Sequence, residues 1–323
     1  MTEADFVARR SGAWRAVEDA LLDKKGPASL KDPGAVERFP RLYRRLCRDL
    51  NYARAEHFSL ELQEKLNRLT MDAHLELYRE RRSDPLRALA KGAIEGPRAV
   101  RRMRGIVLAC AAVFLGAAAV SFAWASGDRD RAAAILGEGA VSRLEEMYDP
   151  DSEQFMKPRD VKNDADMFGF YISNNIGIGL GTMAMGLLAG AGSILALAFN
   201  GGFMGTAAAA ILGAGYGRTF FPFVCGHSAF ELPALVLFSA AGFALGRALL
   251  APGRRSRAAA LRDAGAEALP VAALAFVLMA IAAGIESFWS ARHFEPTAKF
   301  IVAAVLWLSV LAYLCFGGLE RDR

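Results

Sequence analysis

Apolar residues follow two different patterns along the chain, and the change occurs near residue 104. Before it, apolar positions recur at every third or fourth residue, which is typical of amphipathic helices. One such stripe runs through "FVARRSGAWRAVEDALL", a second begins near residue 35, and a third covers about 59–81. We therefore predict a soluble domain of three main helices over residues 1–104.

After residue 104, long apolar runs alternate with short charged stretches. About 20 apolar residues are enough for a helix to cross the ~30 Å core of a bilayer. The stretch 168–213 has 46 residues and no charge, which predicts two spans, with a break at "AGAGS" (189–193) or, alternatively, at "NGG" (200–202). The predicted spans are 106–125, 168–189, 194–213, 230–250, 268–288 and 300–316. The fold class is thus all-α, a polytopic membrane protein with about six transmembrane helices in residues 105–323.

Composition supports insertion of the chain into a membrane, and the charge distribution predicts which segments face the cytoplasm. The chain is 54% hydrophobic with a mean hydropathy of +0.22, which is high for a soluble protein of 323 residues. Residues 1–104 hold 23 basic and 16 acidic residues, and the loop 251–266 holds four arginines. The loop 126–166 is instead acidic, with 11 acidic against 6 basic residues. By the positive-inside rule, both termini are expected in the cytoplasm and 126–166 outside it.

Glycine is concentrated in the middle of the chain, with 12 of the 31 glycines between 177 and 217. Small residues four apart share one helix face and allow close backbone approach in membrane bundles. The pairs predicted to pack helices, within or between subunits, are Gly186/Gly190, Gly201/Gly205, Gly213/Gly217 and Gly242/Gly246. A conduction path or a hinge is the alternative interpretation.

Polar residues within the apolar spans form the candidate site. Burying a charge is costly unless it is paired, so such residues are candidates for function. They are Asn174, Asn175, Asn200, His227, Glu231 and Glu286. All but Asn200 belong to span ends on the non-cytoplasmic side and are expected to converge at one level. A structural hydrogen-bond cluster, a ligand or ion site and a catalytic site all remain open.

Catalysis is the poorest fit to this cluster. The chain has no HExxH and no GxSxG, and its four cysteines form no CxxC. One histidine with scattered carboxylates makes a poor zinc site, which needs three or four ligands. We expect no enzyme activity, no metal, no cofactor and no nucleic-acid partner. The opening "MTEADFVARR" has no apolar core, so no cleavable signal peptide is expected.

Several segments resemble the stage II sporulation protein M family. They are "ISNNIGIGLGTMAMGLLAGAGSILALAFNGGFMG", "GHSAFELPAL", "AAGFALGRALLAPG" and "IAAGIESF", together with soluble segments such as "RLYRRLCRDLNYARA". His227, Glu231 and Glu286 match the family's blocks, but Gly226 and Ser228 depart from its usual Pro-His-Gly. The resemblance implies a multi-pass protein of the bacterial cytoplasmic (inner) membrane with no established catalytic residues.

The resemblance also implies a role. The sporulation members of the family scaffold peptidoglycan-degrading partners at the membrane. The leading hypothesis is therefore a non-enzymatic scaffold in the lipid bilayer, a homo-oligomer that docks envelope or membrane proteins. The alternative is a channel or transporter that uses the Asn/His/Glu cluster.

Overall fold

The structure is a computed structural model that describes residues 1–22, 33–77, 85–152 and 161–319. These residues form thirteen α-helices and one π-helical turn. The helices are α1 (Glu3–Leu22), α2 (Pro33–Ala55), α3 (Leu60–Leu77), α4 (Pro85–Arg102), α5 (Arg104–Ala125), α6 (Arg129–Leu136), α7 (Glu138–Tyr148), α8 (Val161–Met185), α9 (Ala191–Gly213), α10 (Gly217–Val224), α11 (Ser228–Leu250), α12 (Arg257–Ile285) and α13 (Pro296–Phe316), with the π turn Glu286–Ser290 directly after α12.

The chain divides into two compact units, Met1–Asp84 and Pro85–Arg323. In the first unit, α1, α2 and α3 bury their apolar stripes against one another. The indole Nε1 of Trp14 donates a hydrogen bond of 2.9 Å to Asp49 Oδ2 within this core. The bond satisfies a buried carboxylate, which would otherwise be costly in an apolar environment.

The division between the units lies at Asp84, before the boundary that the hydropathy change suggests at residue 104. The helix between these positions, α4, packs against α12 and α13 of the second unit. Its residues Ala99 and Val100 are buried in the core of that unit, as is Met103, which directly follows the helix. Because α4 is amphipathic rather than apolar throughout, hydropathy alone assigns it to the soluble part of the chain.

Among the described residues, five helices are long and apolar enough to cross a membrane by length and composition, namely α5, α9, α11, α12 with its π turn, and α13. The predicted span 168–189 falls mostly on α8, which is not among the five. However, α8 is 25 residues long, or about 37 Å. Its Asp164 pairs with Arg292 beyond the π turn, while its C-terminal end meets Gly242 of α11. It therefore extends along most of the bundle.

The core of the second unit is built around α11 and α12, with α5, α8 and α9 packed alongside. The helices α5 and α9 run in the same direction, because Gly201 lies beside Phe114 and Gly205 beside Ala118. In the same way α8 runs parallel to α11, while α12 returns antiparallel to it.

Three connections differ from the sequence expectation. The break between α8 and α9 covers residues 186–190, and "NGG" lies inside α9. Gly190 has a φ of 79° there, which favours glycine. For residues 131–147 the sequence predicts one short helix, but the structure has two, α6 and α7, because Gly137 with a φ of 85° interrupts the helix. A further short helix, α10, lies where a loop was expected.

Candidate functional site

Three of the predicted residues meet at one end of the second unit. His227 immediately precedes α11, Glu231 lies in its first turn, and Glu286 opens the π turn after α12. One nitrogen or oxygen atom from each of these three side chains lies within 4.8 Å of the others. The acidic Glu231 is favoured at this position by the partial positive charge of the helix N-terminus.

The ring of His227 is held on one side by a serine. Its Nδ1 lies 3.0 Å from the Oγ of Ser290, and its side chain is only 7% exposed. Its Nε2 lies 3.9 Å from Glu231 Oε2, which is too long for a hydrogen bond. In the tautomer with the proton on Nδ1, the ring donates to Ser290 and turns the Nε2 lone pair toward the carboxylate.

The π turn brings Glu286 and Ser290 to the same place. A π turn inserts an extra residue into the helical repeat, and such turns are frequent at functional sites. The turn Glu286–Ser290 also buries the side chains of Ser287 and Ser290. It therefore places one carboxylate and one hydroxyl beside the start of α11.

Two cations lie at the same end of the bundle, and both have partners. Lys299, in the first turn of α13, is buried and donates a 2.8 Å hydrogen bond from Nζ to the carbonyl oxygen of Ser290. Arg292 forms an ion pair with Asp164 of α8. Neither group is predicted from the sequence, although Lys299 immediately precedes the predicted span 300–316.

Aromatic rings connect the end of α7 to the imidazole of His227. Its last residue, Tyr148, is buried, with its ring edge-on to Phe220 at 5.0 Å and Phe223 at 5.8 Å. The ring of Phe223 in turn lies 5.7 Å from the imidazole of His227. An aromatic layer thus separates the imidazole from the α6–α7 segment.

Electrostatics place the Tyr148 hydroxyl near the carboxylates. Burial raises the pKa of Tyr148, and the nearby charges of Glu286, Tyr171 and Glu231 raise it further. The phenol therefore keeps its proton at neutral pH and can act as a hydrogen-bond donor.

The three asparagines have different positions. Asn174 donates from Nδ2 to Asn175 Oδ1 at 3.0 Å, and only Asn175 is buried. Asn175 lies on α8, which runs alongside α11, with Gly179 beside Phe238 and Gly186 beside Gly242. Asn200 lies elsewhere, on α9, where its Nδ2 donates to Ala196 O at 2.8 Å and it lines an apolar groove facing α8.

The predicted glycines mostly lie at backbone crossings within the chain. A Cβ at Gly186, Gly242 or Gly246 would clash with backbone of the α8–α11 crossing, and one at Gly201 or Gly205 with backbone of α5. Gly190 lies at the same α8–α11 crossing, against Phe243, while Gly217 faces the side chain of Leu212. Gly213 is different, because a Cβ there would meet nothing within 4 Å among the described residues. The contacts of these residues therefore give no support to the packing role predicted for Gly213.

Comparison with known families identifies most of the second unit. Stage II sporulation protein M matches residues 105–291, more than half of the chain. The chain belongs to the stage II sporulation protein M family. The matched region contains His227, Glu231, Glu286 and Ser290, and it ends before Lys299. A domain of unknown function, DUF8413, matches residues 4–79. No curated protein and no solved structure matches the chain significantly.

Proposed function

We propose that this membrane protein is a non-enzymatic scaffold that docks envelope or peptidoglycan-remodelling partners from the bacterial inner membrane. The observation that carries the proposal is the packed centre of the bundle. Between Glu231 and Arg247, the only polar side chain of α11 is Ser239, which is buried and donates to Ser193 O at 3.1 Å. Facing it, α12 presents buried apolar residues from Val271 to Met279.

The bundle is also closed by backbone contact at its other end. Gly186 and Gly242 bring α8 and α11 together without intervening side chains. A conduction path needs polar groups or water along its length, because an apolar core offers no partners to an ion. The packing therefore favours a rigid scaffold over a channel.

The α6–α7 segment offers a fixed surface for docking. Arg129 bonds Glu138 at 2.5 Å and Glu145 at 2.8 Å, which joins the two short helices. The hydroxyl of Thr219 donates to the carbonyl oxygen of Tyr148 and attaches α7 to α10. A platform held in this way loses little entropy when a partner binds.

Helix directions support six spans with both termini in the cytoplasm. If α8 crosses the membrane, six alternating spans make α5 and α9 parallel, and α8 and α11 parallel. Omitting α8 would make α5 and α9 antiparallel, contrary to the contacts of Gly201 and Gly205. The arginines of residues 98–104 then flank the cytoplasmic side of α5.

A photo-crosslinking amino acid at Met147 tests the docking role. Met147 is exposed on α7, whereas Leu115 is exposed on the apolar span α5 and provides the control. We expect Met147 to give a discrete adduct with an envelope protein in living cells and Leu115 to give none. Equal adducts at both positions, or none at Met147, would contradict the proposal.

The cluster around His227 favours a second candidate, a channel or transporter. The double variant His227→Leu with Glu231→Met removes both polar groups without leaving either alone. A scaffold should keep its Met147 adduct and its cellular activity in this variant. A transporter should fold and lose activity.

A further inference from the structure

We propose that His227, Glu231 and Glu286 form a binding site for a divalent transition-metal cation of the zinc type. One imidazole and two carboxylates supply three ligand atoms from two helices. Sites with three protein ligands leave a further position for water or for a group from a partner. This inference goes beyond the scaffold role and does not depend on it.

The spacing of the ligand atoms suits an ion better than a direct bond. Ligand atoms around a tetrahedral zinc ion lie about 3.4 Å apart, given metal–ligand bonds of about 2.0–2.1 Å. His227 Nε2 and Glu231 Oε2 lie 3.9 Å apart, and the full set lies within 4.8 Å. His227 and Glu231 are thus too far apart to hydrogen-bond each other, and small side-chain rotations would bring the three ligand atoms to metal distance.

The orientation of His227 is the one that a metal ligand requires. Histidines that bind metals usually give their other ring nitrogen to a hydrogen-bond partner, which fixes the tautomer. Ser290 takes that role through Nδ1, and the carbonyl oxygen of Ser290 is itself held by Lys299. The free Nε2 lone pair then faces the carboxylate of Glu231.

The negative charges of Glu231 and Glu286 also favour a bound cation. Two carboxylates within 4.8 Å of each other repel strongly where water is scarce. The side chain of Glu231 is 26% exposed and that of His227 is 7% exposed, so solvent screens them weakly. Of the two cations at this end of the bundle, Lys299 donates to the carbonyl oxygen of Ser290 and Arg292 pairs with Asp164.

The donor types select the class of ion. Calcium and magnesium prefer sets made only of oxygen atoms, and calcium takes six to eight of them. Imidazole instead suits zinc and its transition-metal neighbours. A single nitrogen with two carboxylate oxygens therefore favours zinc over the alkaline-earth ions.

Zinc binding to the purified full-length protein in detergent tests the inference. After treatment with a chelator, the protein is titrated with zinc in competition with a chromophoric zinc indicator. We expect about one equivalent to bind, and His227→Gln and Glu286→Gln each to weaken binding at least tenfold. Zinc should also raise the melting temperature of the wild type but not of these variants.

The double variant His293→Gln with Glu295→Gln is the matched control, since it removes the same types of group from the neighbouring loop. It should bind zinc as the wild type does. Where a ligand variant fails to fold, Ser290→Ala keeps all three ligands and should still weaken binding by about 10–100-fold. No zinc uptake by the wild type, unchanged binding in Glu286→Gln, or binding of manganese but not zinc would overturn the proposal.

Discussion

The imidazole of His227 and the hydroxyl of Ser290 lie 3.0 Å apart, although 63 residues separate them in the chain. The contact joins the start of α11 to the end of the π turn, and both side chains are buried. This hydrogen bond therefore links α11 to the π turn and also fixes the orientation of the imidazole.

Replacing Ser290 with alanine should lower the free energy of unfolding by about 1–3 kcal/mol. The change leaves a buried ring nitrogen without its hydrogen-bond partner, and that desolvation cost is not recovered. Thermal or denaturant unfolding of the detergent-solubilised protein measures the effect.

Ser287 of the same π turn provides the control. Its Oγ is buried and has no hydrogen-bond partner among the described residues. Ser287→Ala should thus be neutral or slightly stabilising. If Ser287→Ala lowers the free energy of unfolding as much as Ser290→Ala does, the π turn is sensitive to any substitution. The hydrogen bond between Ser290 and His227 would then not explain the effect.

Leucine at Gly186 or Gly205 should destabilise the bundle. Each glycine faces the backbone of a neighbouring helix, so a side chain forces the helices apart, at about 1–3 kcal/mol or more. Gly213→Leu faces open space and should melt close to the wild type. If all three variants melt alike, the crossings do not depend on glycine.

Cysteines introduced at Ser152 and Ser256 should differ in their reactivity. With six spans, Ser152 lies outside the cytoplasm and Ser256 inside it, between α11 and α12. An impermeant thiol reagent added to intact cells should label only the first, judged against the parent chain with its own cysteines. Labelling of Ser256 is the result that the six-span topology forbids.

The first unit should show an acid-sensitive contact between Glu3 and Ser59. The carboxylate accepts hydrogen bonds from the Ser59 hydroxyl at 2.6 Å and backbone nitrogen at 2.7 Å, and they lower the pKa of Glu3. A lowered pKa means that this contribution to stability is complete above the unfolded value of 4.5 and is lost as the pH falls through the folded value.

Glu3→Gln should therefore melt below the wild type at neutral pH, and the difference should shrink as the pH falls below the unfolded pKa of 4.5 and through the lowered pKa of the folded state. Melting curves at several pH values measure this effect. Glu64→Gln, on the exposed face of α3, is the control and should show no such convergence. A constant difference at every pH would show that the carboxylate charge is not involved.

Much of the fold follows from hydropathy because the runs of α5, α9, α11 and α13 carry few charges. Length and polarity are enough to recognise such helices. The helices α4 and α10 were missed because each buries only part of its surface. Their amphipathic patterns resemble those of loops and flanks, and their helical state depends on neighbours that are distant in the chain.

The candidate site was predictable only in part. His227 and Glu231 are four residues apart, so their shared face is visible in the sequence. Ser290 and Lys299 join the site through the π turn, which shifts the helical register by one residue and has no periodic signal. The burial of Asn175 and the separate position of Asn200 depend on how α8 and α9 pack, which is a tertiary property.

The position of α4 has a consequence for biosynthesis. Arg98 and Arg101 of α4 donate to the carbonyl oxygens of Gly318 and Gly317, which are 220 and 216 residues later in the chain. At about 5–20 residues per second, a ribosome reaches those partners on the order of 10–40 s after it makes α4. During that interval α4 can pack only against helices that are already made, of which α12 is the main partner. Docking of α13 against it would then be the closing step of assembly.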